Sequence, residues 1–243
     1  MNMEKIQFNS TNTVIDLYLF DGIFKPTGTT KLLVDSVITN CNGLVNKKIL
    51  DLGAGCGVVS ISLYKEGFGN NNFYASDLNE NTVECVLYNA NHNNCKINVK
   101  KGSLFEPWHQ EKFDLIIDDI SGVSNEIAEI SGWFDGVPCA SGVGGDILTN
   151  NFLEDSINFL NTSGVVFFPV ISFSNVESIL STAKNNFDVV ECVARNDFML
   201  PESLKSHLDI LEKLKEEGHI DFINRFGTII WYTEVYKAYN KTK

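Results

Sequence analysis

Apolar residues follow two rhythms along this chain. Short unbroken or alternating apolar runs predict strands at Lys48 to Leu52, Asn72 to Ser76, Ile97 to Lys100, Phe113 to Asp118, Val165 to Ile171 and Asp188 to Ala194. Between them, apolar positions spaced three and four apart predict helices at Val58 to Glu66, Glu80 to His92, Asp146 to Leu160 and Asn175 to Asn185. Strict alternation of this kind is the signature of a doubly wound, mostly parallel α/β sheet, here seven-stranded. Ahead of it, Ile6 to Phe24 alternates around Asp21-Gly22 and predicts a short β ribbon. After Pro26, Thr27-Gly28-Thr29-Thr30 opens a capped helix whose apolar face carries Leu32, Leu33, Val37 and Ile38.

The far end reads as an amphipathic helix opened by Pro201 and a closing strand at Thr228 to Tyr236, the last strands forming an edge ribbon. Leu204, Leu208, Leu211 and Leu214 fall at helical spacing and are expected to pack on the sheet edge rather than form a dimer contact or a substrate cap. Without repeats or Pro/Ser-rich linkers, residues 1–243 read as one domain, with 1–25 as a β extension and 26–243 as the main fold.

Composition narrows the function. The longest apolar stretch, Gly164 to Ile171, is far short of the roughly 20 residues that span a bilayer, and Met1 to Lys5 opens no secretory leader. A cytoplasmic protein without a membrane partner is expected. Six cysteines and four histidines show no zinc-ligand spacing, so no metal is expected. A formal net charge of −12 disfavours a nucleic-acid partner, because phosphate backbones select basic stripes. A small-molecule acceptor is the expectation, with the oligomeric state left open.

Candidate chemistry concentrates at Asp51-Leu52-Gly53-Ala54-Gly55-Cys56-Gly57-Val58, a buried strand turning through glycines into a helix. Glycine lets the backbone turn there and lets a ligand press on main-chain atoms. The third glycine of a dinucleotide fingerprint is replaced by Val58, and Asp51 stands in the turn. A carboxylate repels pyrophosphate but suits a ligand carrying an ammonium and a sulfonium, which is S-adenosylmethionine. Asp77, one β-α-β step downstream at the end of a strand, is suited to accept the ribose hydroxyls of a nucleoside.

These residues, with Phe24-Lys25-Pro26-Thr27-Gly28-Thr29-Thr30, Gly102-Ser103-Leu104-Phe105-Glu106-Pro107 and Phe113 to Ile117, give a chain that resembles class I S-adenosylmethionine-dependent methyltransferases. It is most similar to the small-domain branch containing release-factor glutamine methyltransferases. The resemblance implies that Thr29 and Thr30 flank the methionine end of the cofactor, that Asp51, Gly53, Ala54, Gly55 and Gly57 cradle it, that Asp77 and Leu78 hold the ribose, and that Ser103 and Leu104 border the adenine.

Two departures stand out. Ser103 replaces the family's usual aspartate, and Asp119-Ile120-Ser121-Gly122 replaces the N-P-P-Y tetrad that holds a planar NH₂ group for methyl transfer. Asp119 can still accept an N–H and is expected both to touch the cofactor and to orient the acceptor. Ile120 and Ser121 follow at the acceptor side, while Trp133 and Phe134, in a glycine-rich loop running to Asp146, are candidates for the lost aromatic platform. Asp118 is expected to face away, since neighbouring strand residues point to opposite sides. The expected reaction is N-methylation of a small amine- or amide-bearing acceptor, with O-methylation of a hydroxyl or carboxylate, or protein glutamine methylation, as alternatives. A non-catalytic nucleoside-binding module is the rival from another class.

Overall fold

A computed structural model describes residues 3–41, 43–120, 122–134, 136–137 and 139–241. Strands β1 (Met3–Asn9) and β2 (Val14–Phe20) form a separate antiparallel ribbon, with Phe8 opposite Ile15. Helix α1 (Gly28–Asn40) then leads into β3 (Lys48–Leu52), α2 (Val58–Leu63), β4 (Asn72–Asp77), α3 (Glu80–His92), β5 (Ile97–Lys101) and β6 (Phe113–Asp118). Helices α4 (Asn125–Ser131) and α5 (Ile147–Ser156) precede β7 (Leu160–Ile171), α6 (Val176–Asn186) and β8 (Val189–Met199). Helices α7 (Glu202–Lys205) and α8 (Leu208–Glu216), then β9 (Ile223–Arg225) and β10 (Thr228–Tyr239), complete the chain.

The main sheet runs β5-β4-β3-β6-β7-β10-β8, with β9 paired to β10. Strands β5 to β7 of that order are parallel, and β10 runs antiparallel to β7, β8 and β9. Strand β10 enters between β7 and β8 and pairs antiparallel with β8, so the last strands form the expected ribbon at that edge, with β8 outermost. The short β9 makes this sheet eight-stranded instead of seven.

The central strands are apolar on both faces because both faces are covered. Ile49, Leu115, Ile117 and Phe167 join α1, α2 and the ribbon in one core, whereas their neighbours Leu50, Ile116 and Phe168 join α5 and α6 in the other. A third cluster sits beyond the carboxyl end of the sheet. There Leu204, Leu211 and Leu214 are buried with Val123, Ile127, Phe173 and Ile229. The leucine stripe thus packs on α4 and the start of β10, not on the sheet edge, and Leu208 remains outside it, 41% exposed.

Other boundaries shift for local reasons. Gly67 at φ +102° interrupts the chain after α2, and the side chain of Glu66 turns back to the ribbon, where it accepts from Asn12 N at 2.7 Å. Helix α5 stops at Ser156 because β7 starts early, with Leu160 opposite Phe113. An unexpected helix, α4, occupies Asn125–Ser131 and ends where the glycine-rich loop begins.

Candidate active site

Chain order places a topological switch between β3 and β6. From β3 the connections run outward through β4 and β5, and from β6 they run the other way through β7. Open α/β sheets bind ligands in the crevice beyond the carboxyl ends at such a point. Here a cavity of about 640 Å³ opens there. Pairing of β6 with β7 ends at Ile117 and Phe167, so Pro169 and Ile171 continue without a β6 neighbour and line the cavity.

The turn after β3 forms one wall. Gly53 N and Ala54 N donate to Ser76 O at 3.1 and 3.2 Å, which draws the turn onto β4. Gly53 has φ +69°, and a Cβ there would come within 3.2 Å of the Ile120 backbone. Gly55 N donates to Asp77 Oδ2 at 3.1 Å, so Asp77 braces the turn while lining the cavity. Ser103 and Leu104 lie along the same wall; Ser103 N donates to Glu106 Oε2 at 3.0 Å, and Leu104 adopts φ +44°. The indole N–H of Trp108, a side chain buried beneath them, donates to Ser76 Oγ at 3.1 Å.

The opposite wall begins at α1. Thr27 caps this helix reciprocally with Thr30, whose Oγ1 accepts from Thr27 N. Thr30 in turn hydrogen-bonds the side chain of Asp119. Thr29 shares a hydrogen bond of 3.1 Å with Thr233 of β10, which ties the helix start to the sheet. Asp119 is half-buried at the cavity floor, its N–H donating to Leu52 O at 3.1 Å.

Thr29, Thr30, Gly53, Ala54, Gly55, Asp77, Leu78, Ser103, Leu104, Asp119, Ile120, Trp133 and Phe134 all line the cavity. Two of the expected contacts do not. Asp51 is fully buried beneath the turn, where its Oδ2 accepts from Ser60 N at 3.1 Å and Ser60 Oγ at 2.7 Å, leaving Oδ1 without a hydrogen-bond partner. Gly57 serves packing instead, because at φ +80° a Cβ would meet Val86 of α3 at 3.1 Å. Ser121 lies outside the described residues, as do Asp135 and Pro138 of the loop. Asp118 turns away from the cavity, buried, and accepts from Ile120 N at 2.9 Å.

Burial raises the carboxyls beneath this floor. Asp51 and Asp118 are each pushed up to about 7, first by desolvation, with Asp77 adding repulsion at Asp51 and Asp51 adding it at Asp118. Asp119 is raised well above the carboxylate range by desolvation and then by Asp51, against the opposing hydrogen bond from Thr30.

The remaining wall is aromatic. Phe24 stacks on Phe134 at 5.0 Å, Trp133 lies 5.4 Å from Trp231, and Trp231 stacks on Phe198 at 4.5 Å. Phe24, Phe198 and Trp231 were not among the expected site residues. The pairing of Trp231 with Phe198 across β10 and β8 brings the last two together. That pairing is long-range, and no local motif marks it.

Comparison with known proteins agrees with this geometry. Residues 25–119 match the family described as methyltransferase small domain. A putative protein N5-glutamine methyltransferase of Methanocaldococcus jannaschii is 28% identical over 157 residues, covering 63% of this chain and 74% of that protein. The first curated relatives matched are spanned over only 34% of their length. Among solved structures, a T. Thermophilus 16S rRNA N2 G1207 methyltransferase in complex with AdoMet and guanosine aligns with TM-score 0.65 at 15% identity, covering 98% of this chain and 51% of that one. The E. cuniculi Mtq2-Trm112 complex, responsible for methylation of the eRF1 translation termination factor, aligns with TM-score 0.57 at 17% identity, covering 90% and 99%.

These neighbours overturn the expected partner class. Proteins of this fold act on rRNA and on a translation factor, and one is bound to Trm112, so an acceptor restricted to small molecules, with nucleic acid excluded, is not supported. Net charge describes the whole surface and does not by itself select an acceptor. No helix among the described residues is long and apolar enough to cross a membrane. Residues 25–119 carry the methyltransferase small domain, within a chain that has the fold of class I S-adenosylmethionine-dependent methyltransferases.

Proposed function

We propose that this protein is an S-adenosylmethionine-dependent methyltransferase acting on a planar nitrogen, an amide or exocyclic amine, carried by RNA or protein. The observation that carries the reading is the conjunction at one cavity of a glycine turn braced by Asp77, the carboxyl of Asp119 and an aromatic wall. The bound cofactor supplies an electrophilic methyl on a positive sulfur. Gly53 to Gly55 give close backbone approach, Asp77 accepts ribose hydroxyls, Ser103 and Leu104 border the adenine, and Thr29 and Thr30 lie toward the methionine end. The carboxyls of Asp77 and Asp119 facing one cavity with the turn from Gly53 to Gly55 fit such a group.

A planar nitrogen suits the floor for a chemical reason. Taking a proton from an alkylammonium of pKa about 10 is uphill by roughly 8 kcal/mol for an ordinary carboxylate of pKa about 4, and burial of Asp119 closes only part of that gap. An amide or aromatic amine carries no such proton, and its N–H needs only an acceptor that turns the lone pair toward the methyl. Asp119 is that acceptor, and Trp133 and Phe134 flank the plane and exclude water. Alignment of this kind supplies about 7 to 11 kcal/mol. The glutamine methyltransferase relative and the rRNA guanine neighbour both support a planar nitrogen by analogy.

Transfer of a labelled methyl group to RNA and protein fractions, resolved by mass spectrometry of the nucleosides and peptides, tests the reading. Label is expected on nitrogen in one fraction, with Asp119→Ala lowering turnover about a hundredfold, as the loss of a group acting in the transition state does. Label on oxygen, or turnover unchanged in Asp119→Ala, would overturn it.

A further inference from the structure

Near the end of β4, one buried residue holds two parts of the cavity wall at once. The main-chain carbonyl of Ser76 accepts from Gly53 N at 3.1 Å and Ala54 N at 3.2 Å, which fixes the glycine turn. Its side chain serves the segment after β5 instead, where Ser76 Oγ donates to Leu104 O at 3.4 Å. Both Ser76 and Leu104 line the cavity. The aim of that hydroxyl is set from behind by Trp108, a buried side chain that donates its indole N–H to Ser76 Oγ at 3.1 Å. Tyr74 and Phe113 meet the indole edge to face at 5.5 and 6.0 Å, so the N–H points one way. An indole nitrogen only donates. Ser76 must therefore accept from it, and the single hydroxyl proton is left for Leu104 O.

Leu104 needs such a hold for two reasons. At φ +44° it occupies the left-handed region, which is costly for a side chain of this size and persists only where the surroundings impose it. Its carbonyl also has no partner in the turn that follows, because the residue three positions on is Pro107, which lacks an N–H. The neighbouring bonds pass it by. Gly102 N donates to Asp77 O at 2.9 Å, Glu106 N to Ser103 O at 2.9 Å, and Ser103 N to Glu106 Oε2 at 3.0 Å.

We propose that Ser76 and Trp108 are positioning residues for the cofactor: the indole orients the Ser76 hydroxyl, and the hydroxyl holds Leu104 in the left-handed conformation that shapes the adenosine end of the cavity. The proposal rests on the cofactor reading above and adds two residues that were not among the expected site residues. Trp108 acts on the ligand only through Ser76, and Ser76 through Leu104. S-adenosylmethionine and S-adenosylhomocysteine share the adenosine end, so both sense the relay equally.

Calorimetry of the full chain with each of these two ligands tests this in Trp108→Phe, which keeps a buried ring without the N–H, and in Ser76→Ala. Each variant is expected to bind both ligands about three- to tenfold more weakly, the range of one lost hydrogen bond between uncharged groups. The double variant is expected to lose less than about twofold beyond Ser76→Ala, since the indole works through the hydroxyl. Glycine adopts the left-handed region unaided, so in a Leu104→Gly chain the further change Trp108→Phe is expected to alter affinity by less than about twofold. A residue that merely filled the core would keep its effect in that background. Hydrogen exchange over residues 102–106 is expected to speed in both single variants while that of α1 stays as in wild type. Affinities unchanged in both single variants, losses that multiply in the double variant, or a Trp108→Phe effect undiminished by Leu104→Gly would overturn the relay and leave the cofactor reading intact. A wild-type chain that binds neither ligand would overturn both.

Discussion

At the scale of single residues, the site is organised by carboxyls whose protons are displaced from their ordinary range. Asp118 moves from 3.8 to about 7 on burial. Between those values the fold keeps a proton that the unfolded chain has already released, so the stabilisation is complete below pH 4 and is lost as pH rises through 7. Three units correspond to about 4 kcal/mol. Asp118→Asn removes this dependence. Its stability in urea is expected to match wild type near pH 4 and to exceed it by up to about 4 kcal/mol at pH 8. Equal slopes of stability against pH in the two proteins would show that Asp118 does not hold the proton. Little of this was readable in advance. The motif pointed to Asp51 and Asp119, but that Asp51 faces Ser60 and not the cavity follows from α2 folding back over β3, which residue spacing does not disclose.

At the scale of elements, legibility followed how local the determining forces are. Strands β3 and β6 and helix α3 have the predicted limits because their patterns are self-sufficient: unbroken apolar runs for the strands, and a charged first turn at Glu80 for the helix. Helix α4 was readable but missed, since Ser124 stands at its N-cap and Gly132 at φ +70° ends it, the start and stop signals of a short helix. The early start of β7 was not readable, because its pairing partner sets it. Helix α1 shows how an element end becomes part of a site. Thr27 and Thr30 satisfy each other's backbone, and the capping hydroxyl of Thr30 is thereby aimed at Asp119. Thr27→Ala is expected to cost about 1 kcal/mol in thermal or urea unfolding, typical of a lost cap. Turnover is expected to change little, since the Thr30 hydroxyl accepts from the Thr27 backbone N–H, which alanine retains. A variant that unfolds as wild type does would show the cap to be idle.

At the scale of the whole molecule, the cavity joins two kinds of wall. The family match ends at residue 119, and the elements within it supply the proposed nucleoside half: the glycine turn, Asp77 and the Ser103 segment. The proposed acceptor half comes from distant parts of the chain. Phe24 follows the ribbon, Trp133 and Phe134 follow α4, and Phe198 and Trp231 arrive on β8 and β10. The leucines of α7 and α8 support this half from behind, in the cluster that also holds Trp133 and Trp231. On the proposed reading, an aromatic surface assembled from residues far apart in sequence serves as the acceptor platform. The two halves are expected to separate under mutation. Trp231→Ala should leave S-adenosylmethionine affinity within about twofold while lowering transfer to the acceptor by up to about tenfold, because stacked rings contribute about 0.5–1.5 kcal/mol beyond the area they bury. Calorimetry with the cofactor and single-turnover methyl transfer measure the two effects separately, and unfolding in urea reports the stability of the third cluster. Equal losses in both binding and transfer would mean that Trp231 serves the cavity as a whole, and transfer at the wild-type rate would remove the aromatic wall from the acceptor site.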